Sequence, residues 1–178
     1  MPPAAGPDTG AVVRRAVPRR APRSLAAALL AGALAAVPAL APAARAADEA
    51  AGDFMHRIAQ QPGVKSLPAG LEYKVLQSGD PNGVSPKPGD EIVLNYEGKL
   101  PDGATFDSTE QQGGMARMAL KGLIPGWMEA LPHMHPGDVW MLYVPPSLGY
   151  GANGAGPIPP DSPLVFKIEL VAVHPAGG

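Results

Sequence analysis

The residues with most to say about chemistry are aromatic ones that sit beside turns. The 178-residue sequence has two Trp, four Tyr, three Phe and no Cys. Tyr96 ends an apolar run, Phe106 and Asp107 follow a turn, and Trp127 opens an amphipathic segment. Tyr150 sits in a Gly-rich stretch, and Phe166 lies in the last apolar run. Taken singly, each such ring most often fills a small core. The usual carriers of covalent chemistry are poorly represented. Without Cys there is no thiol nucleophile, disulfide or Cys-based zinc site. Ser108 and Ser147 lack the setting of a nucleophile elbow. His133 and His135 are one residue apart with no third ligand at suitable spacing, so they read as a surface pair at a helix end. Gly149 to Gly154 matches the G-x-G-x-x-G pattern, but that pattern needs a following helix, and Pro157, Pro159 and Pro160 follow instead. What remains is the set of rings, together with Asp107.

The elements that must hold these rings are mostly strands. Leu71 to Leu76 alternates apolar and polar residues, Glu91 to Gly98 is β-branched and aromatic, and Met115 to Leu120 is a weaker candidate. Asp138 to Val144 and Pro163 to Val173 are the strongest runs. Pro81-Asn82-Gly83, Pro86 to Asp90 and Pro101-Asp102-Gly103 are turn chemistry. One helix is expected, because Ile124, Trp127, Met128 and Leu131 share a face at i, i+3, i+4 and i+7. Pro125 suits its first turn and Pro132 ends it. Several antiparallel strands against one short helix make an α+β domain.

In order along the chain, the ring-bearing segments form a specific series. Tyr96-x-Gly98-x-Leu100-x-x-Gly103-x-x-Phe106-Asp107-Ser108-Thr109 comes first, then Leu123-Ile124-Pro125-Gly126-Trp127-x-Glu129-Ala130-Leu131 and Pro136-Gly137-Asp138. Tyr150-Gly151-Ala152, Ile158-Pro159-Pro160 and Leu164-Val165-Phe166 complete it. This series resembles the FKBP family of macrolide-binding peptidyl-prolyl cis–trans isomerases. It is most similar to exported bacterial members related to the macrophage infectivity potentiator. The resemblance runs from about Leu67 to Val173 and includes the lead-in from Pro68 to Val75.

The resemblance implies a half-open, five-stranded antiparallel sheet wrapped around one short helix, with a pocket between them. Carried onto this sequence, Trp127 becomes the pocket floor, and Tyr96, Phe106, Leu123, Ile124 and Phe166 become its walls. Ile158 is carried over as a further substrate-binding residue. Tyr150 donates its hydroxyl to a substrate carbonyl and the Ile124 backbone N–H binds another. Asp107 sits at the rim, hydrogen-bonded to Tyr96. The implied catalytic residues are Asp107, Tyr96 and Tyr150, with no cofactor and no metal. The implied partners are proline-containing unfolded or folding polypeptides and macrolides such as tacrolimus or rapamycin. Met115-Ala116-Arg117-Met118 stands where many relatives place an aromatic wall residue, so this wall is softer. Gly122 replaces a common polar residue, and Pro157 lies in a shortened loop after Tyr150-Gly151. Two rival readings remain. One is a non-catalytic binding module or holdase chaperone on the same fold. The other is an ordinary acid–base enzyme, for which there are only scattered carboxylates.

The N-terminal region carries a different message. Arg14, Arg15, Arg19, Arg20 and Arg23 precede an uncharged Ala/Leu run from Ser24 to Leu40, and Ala44-Arg45-Ala46 follows. Basic start, apolar run and small-x-small site are the order of an export signal, so residues 1–46 are expected to be one. The run is interrupted by Gly32 and Pro38 and is short beside the roughly 20 residues that span a bilayer. An uncleaved anchor is the alternative. Residues 47–68 form a leader with a short helix from Glu49 to Gln60, and residues 69–175 the isomerase domain. Six of the 14 basic residues and one of the 16 acidic ones lie in residues 1–46. The remainder therefore has a net charge near −7, which offers no basic stripe to nucleic acid. The expected location is periplasmic or extracellular, with no membrane attachment once the signal is removed.

Overall fold

The structure, a computed structural model, describes residues 41–177. The expected export signal lies mostly outside the described residues. Its end, including Ala44-Arg45-Ala46, falls within helix α1 (Ala41–Ala59), which starts earlier than the expected Glu49. The Ala-rich stretch before Glu49 favours helix, since Ala forfeits no side-chain entropy there. α1 stops where expected: Pro62 cannot donate a backbone hydrogen bond and Gly63 takes φ 81°. Ala51 and Ile58, seven residues apart on one face, are buried. No helix among the described residues is long and apolar enough to cross a membrane.

Among the described residues seven strands form one antiparallel sheet: β1 (Val64–Ser66), β2 (Glu72–Gln77), β3 (Glu91–Lys99), β4 (Thr105–Ser108), β5 (Ala116–Ala119), β6 (Val139–Val144) and β7 (Leu164–His174). The spatial order is β1-β2-β6-β7-β3-β4, with β5 also on β3. Five strands were expected, and the difference has two causes. The leader contributes the three-residue β1 along β2. The outer strand beside β3 is broken in two: β5 pairs with Glu91 to Leu94, and β4 pairs with Glu97 to Lys99. The architecture is the α+β, open-sheet class that the sequence implied.

Helix α2 (Pro125–Ala130) packs against the buried face of the sheet. Pro132 does not end the helical path outright, which tightens into a 3₁₀ turn over Leu131–His133 with Pro132 in it. Trp127, Ala130, Leu131 and Met134 pack on Leu94, Leu142, Val144, Leu164 and Ile168. The strands supply this face by period-two alternation: Leu164, Phe166, Ile168 and Leu170 are buried while Lys167 and Glu169 are exposed. Gly126 lets the helix seat closely, since a β-carbon there would lie 2.8 Å from Val144 Cγ1. Two buried carboxylates tie the loops. Asp138 accepts from the N–H groups of Gly79 and His135, each at 2.6 Å. Asp90 accepts from Lys87 N–H at 2.8 Å and Ala176 N–H at 3.0 Å.

Candidate active site

Between α2 and the sheet opens a cavity of about 290 Å³. Its floor is Trp127, held in the first turn of α2 and only 6% exposed. Three further rings surround it in a chain of edge-to-face contacts. Tyr96 meets Trp127 at 5.2 Å between centroids, and Trp127 meets Phe166 at 5.2 Å. Phe166 meets Phe106 at 5.6 Å, with planes 89° apart. Such geometry sets the positive edge of one ring against the negative face of the next, and each ring fixes its neighbour.

Strand register brings the rings together. Phe166 on β7 lies directly opposite Gly98 on β3, and Gly98 lies opposite Asp107 on β4. A β-carbon at position 98 would sit 2.7 Å from Phe106 Cζ and 2.9 Å from Phe166 Cε1, so only glycine leaves room for both rings. The pairing steps from Gly98–Asp107 to Lys99–Thr105, so Phe106 is the extra residue of a β-bulge. Strict alternation would send Phe106 and Asp107 to opposite faces, and the bulge lets both line the cavity.

At the mouth the groups become polar. The Tyr96 hydroxyl donates to Asp107 Oδ2 at 2.6 Å, which is the hydrogen bond implied above. Burial, chiefly, and then this bond push the Tyr96 phenol up to about 12, so it remains a protonated donor at any physiological pH. Tyr150 is 40% exposed at the rim, and its hydroxyl makes no hydrogen bond within the described residues. The same is true of the Ile124 backbone N–H at the start of α2. Two donors at the cavity are thus unspent by the protein itself. The indole N–H of Trp127 is buried without a partner as well.

Of the nine site residues expected from the sequence, eight line this one cavity: Tyr96, Phe106, Asp107, Leu123, Ile124, Trp127, Tyr150 and Phe166. Ile158 is not brought to it. That side chain is 6% exposed and packed in the core, and its backbone pairs with Ala155. Met118 and Gly122, the two departures at the wall, do line the cavity. Gln112 has a role the sequence did not suggest, since its side-chain amide touches both Asp107 and Tyr96. Nothing in its local sequence distinguishes it from Gln111. A larger hollow, of about 540 Å³, opens beside Asn95, Glu97, Lys167 and Glu169. Two of its carboxylates already have partners: Glu169 accepts from Asn95 within it, and Glu97 pairs with Lys99 outside it. Gly149 to Gly154 runs through a 3₁₀ turn over Gly151–Asn153 rather than opening an α-helix, so it builds no dinucleotide cradle.

Comparison with known proteins places this geometry. The family model for FKBP-type peptidyl-prolyl cis-trans isomerases matches residues 83–171, from the turn before β3 to the last core residues of β7. The peptidyl-prolyl cis-trans isomerase Mip of Coxiella burnetii is 48% identical over 126 residues, covering 70% of this chain and 54% of that protein. FkpA of Escherichia coli K12 is 42% identical over 130 residues, covering 72% of this chain and 47% of its own length. The chain therefore spans about half the length of the curated relatives it matches. Among solved structures, a peptidyl-prolyl cis-trans isomerase of Pseudomonas syringae superposes with a TM-score of 0.69 at 39% identity, over 74% of this chain and 96% of that one. Crystalline FkpA from Escherichia coli gives 0.71 at 39% identity, over 75% and 62%. Every residue lining the ring cavity lies within the residues that the family model matches, and the chain belongs to the FKBP-type peptidyl-prolyl cis-trans isomerase family.

Proposed function

We propose that this protein accelerates cis–trans isomerisation of X-Pro bonds in exported polypeptides, with the ring-lined cavity as the site. The observation that carries the reading is the four-ring cavity with unspent donors at its edge. Rotation about a peptide bond meets a barrier of roughly 18–20 kcal/mol because resonance is lost. The planar amide is the more charge-separated state and is favoured by water. The twisted amide is less polar, and a dry apolar cavity favours it. A 10⁵-fold acceleration requires about 7 kcal/mol of such differential stabilisation.

In this reading the prolyl ring rests on Trp127 between Tyr96, Phe106 and Phe166. The Ile124 N–H and the Tyr150 hydroxyl take the substrate carbonyls on either side. Asp107, anchored by Tyr96, faces the amide that turns. No step calls for a nucleophile. Macrolides such as tacrolimus or rapamycin compete for the same cavity, with affinity set partly by the flexible Met118 wall.

Export is supported by the order of charge and apolarity in residues 1–46. It is also supported by a relative from Legionella longbeachae called Outer membrane protein MIP, 41% identical over 131 residues and covering 72% of this chain and 55% of that protein. The test pairs two assays on the purified protein: isomerisation of an X-Pro tetrapeptide, and aggregation of a denatured client. Acceleration that tacrolimus abolishes is the expected result. No acceleration combined with suppressed aggregation replaces the isomerase reading with a holding chaperone.

A further inference from the structure

Gln112 stands outside the cavity lining, yet it touches the two polar groups at the mouth. The segment after β4 forms a single helical turn. The Gln112 N–H donates to Ser108 O at 3.3 Å and Thr109 O at 3.2 Å, and the Gly114 N–H returns to Thr109 O at 2.9 Å. The Ser108 hydroxyl accepts from the Gln111 N–H at 3.2 Å, in the manner of a helix cap. Gly113 and Gly114 then leave the turn at φ 92° and 139°, values that exact strain from any other residue. This backbone brings residue 112 back over Asp107.

Its amide nitrogen lies 2.6 Å from Asp107 Oδ1 and 3.1 Å from the Tyr96 hydroxyl. A carboxylate only accepts, so the nitrogen must be the atom that faces it. The two hydrogens of the amide serve the two acceptors, while Tyr96 donates to the other Asp107 oxygen at 2.6 Å. The result is a closed triangle of three side chains. Among the described residues no Lys, Arg or His forms an ion pair with Asp107. The carboxylate is therefore oriented by neutral donors alone.

We propose that Gln112 is a positioning residue for isomerisation, a neutral two-hydrogen clamp that fixes the Asp107 carboxylate and the Tyr96 hydroxyl relative to each other. The inference rests on the isomerase reading above. It acts through geometry and not through charge, which sets apart three substitutions. Gln112→Leu keeps the bulk and removes both hydrogen bonds. Gln112→Arg supplies N–H donors again. Gln112→Glu sets a second carboxylate against Asp107 at high pH and becomes a donor only when its own carboxyl takes a proton.

The experiment measures isomerisation of an X-Pro tetrapeptide by exchange NMR, which needs no coupling protease, between pH 5 and 8, alongside thermal unfolding of each variant. Gln112→Leu is expected to lower kcat/KM about five- to tenfold, as loss of an exposed hydrogen-bonding side chain does, mostly through kcat. Its unfolding temperature should stay within a few degrees of wild type, since residue 112 is exposed. Gln112→Arg is expected to return activity to within about twofold of wild type. Gln112→Glu should match Gln112→Leu at pH 8 and gain on wild type as pH falls to 5. The proposal is overturned if wild type is active and all three variants stay within twofold of it at every pH. It is overturned equally if activity loss follows unfolding temperature and Gln112→Arg does not rescue. A wild-type protein without acceleration removes the isomerase reading itself, and this inference with it.

Discussion

Gly98→Ala tests whether the cavity is built by ring packing against β3. The added methyl would lie 2.7 Å and 2.8 Å from two Phe106 ring carbons and 2.9 Å from Phe166 Cε1. Ordinary carbon–carbon contact is about 3.5–4.0 Å, so Phe106 must retreat by about 0.8 Å and Phe166 by about 0.6 Å, or more. Gly98 is not in the left-handed region, so alanine adds no backbone strain and the ring contacts alone carry the effect. Overpacking of this kind costs about 1–3 kcal/mol. For a domain of this size that lowers the unfolding temperature by about 3–12 °C. Because Phe166 bears on Trp127 at 5.2 Å, the displacement reaches the floor. A misplacement near 1 Å at a reacting site lowers kcat/KM by about ten- to a hundredfold. The assay is tetrapeptide isomerisation together with calorimetry. Phe106→Leu in the Gly98→Ala background should recover part of both losses, as coupled neighbours do. Gly52→Ala on α1, with nothing within 4 Å of the new carbon, is the control and should leave activity unchanged. Wild-type activity and stability in Gly98→Ala would refute the packing argument.

Trp127→Phe keeps an apolar floor but loses part of its area, and is expected to lower kcat/KM more than it lowers stability, measured by isomerisation and calorimetry on one preparation. Tyr96 has its phenol raised to about 12, so its contribution to stability is full below about pH 10 and disappears as pH rises towards 12. Denaturant midpoints across that window should fall more steeply for wild type than for Tyr96→Phe. Asp90 has its carboxyl lowered, first by the hydrogen bond from Ala176 N–H and then by that from Lys87 N–H. Its contribution is present above the ordinary carboxylate range and is lost as pH falls through it. Asp90→Asn should therefore remove part of the acid-side dependence and speed amide exchange at Ala176, read by NMR.

Much of this protein was legible without its coordinates because the signals were local. Alternation and turn chemistry marked β2, β3, β6 and β7 to within about a residue at each end, and the apolar spacing from Ile124 to Leu131 marked α2. The ordered ring motifs named the family and eight residues of the cavity. Other features depended on contacts between segments far apart in the chain. The outer strand divides into β4 and β5 because the Ser108–Gly114 turn leaves the sheet edge, which no alternation pattern announces. The bulge at Phe106 turns neighbouring residues to one side only because β3 offers one partner for two. Ile158, which the resemblance carried over as a substrate-binding residue, packs in the core among residues distant in the chain. Trp127 and Trp140 are alike as residues and both buried, yet one floors the cavity and the other stacks on Tyr73 at 4.4 Å. Gln112 gains its place from a backbone turn and two acceptors that meet only after folding. Composition and periodicity decide which residues leave water, whereas the neighbours they meet are decided by register and packing.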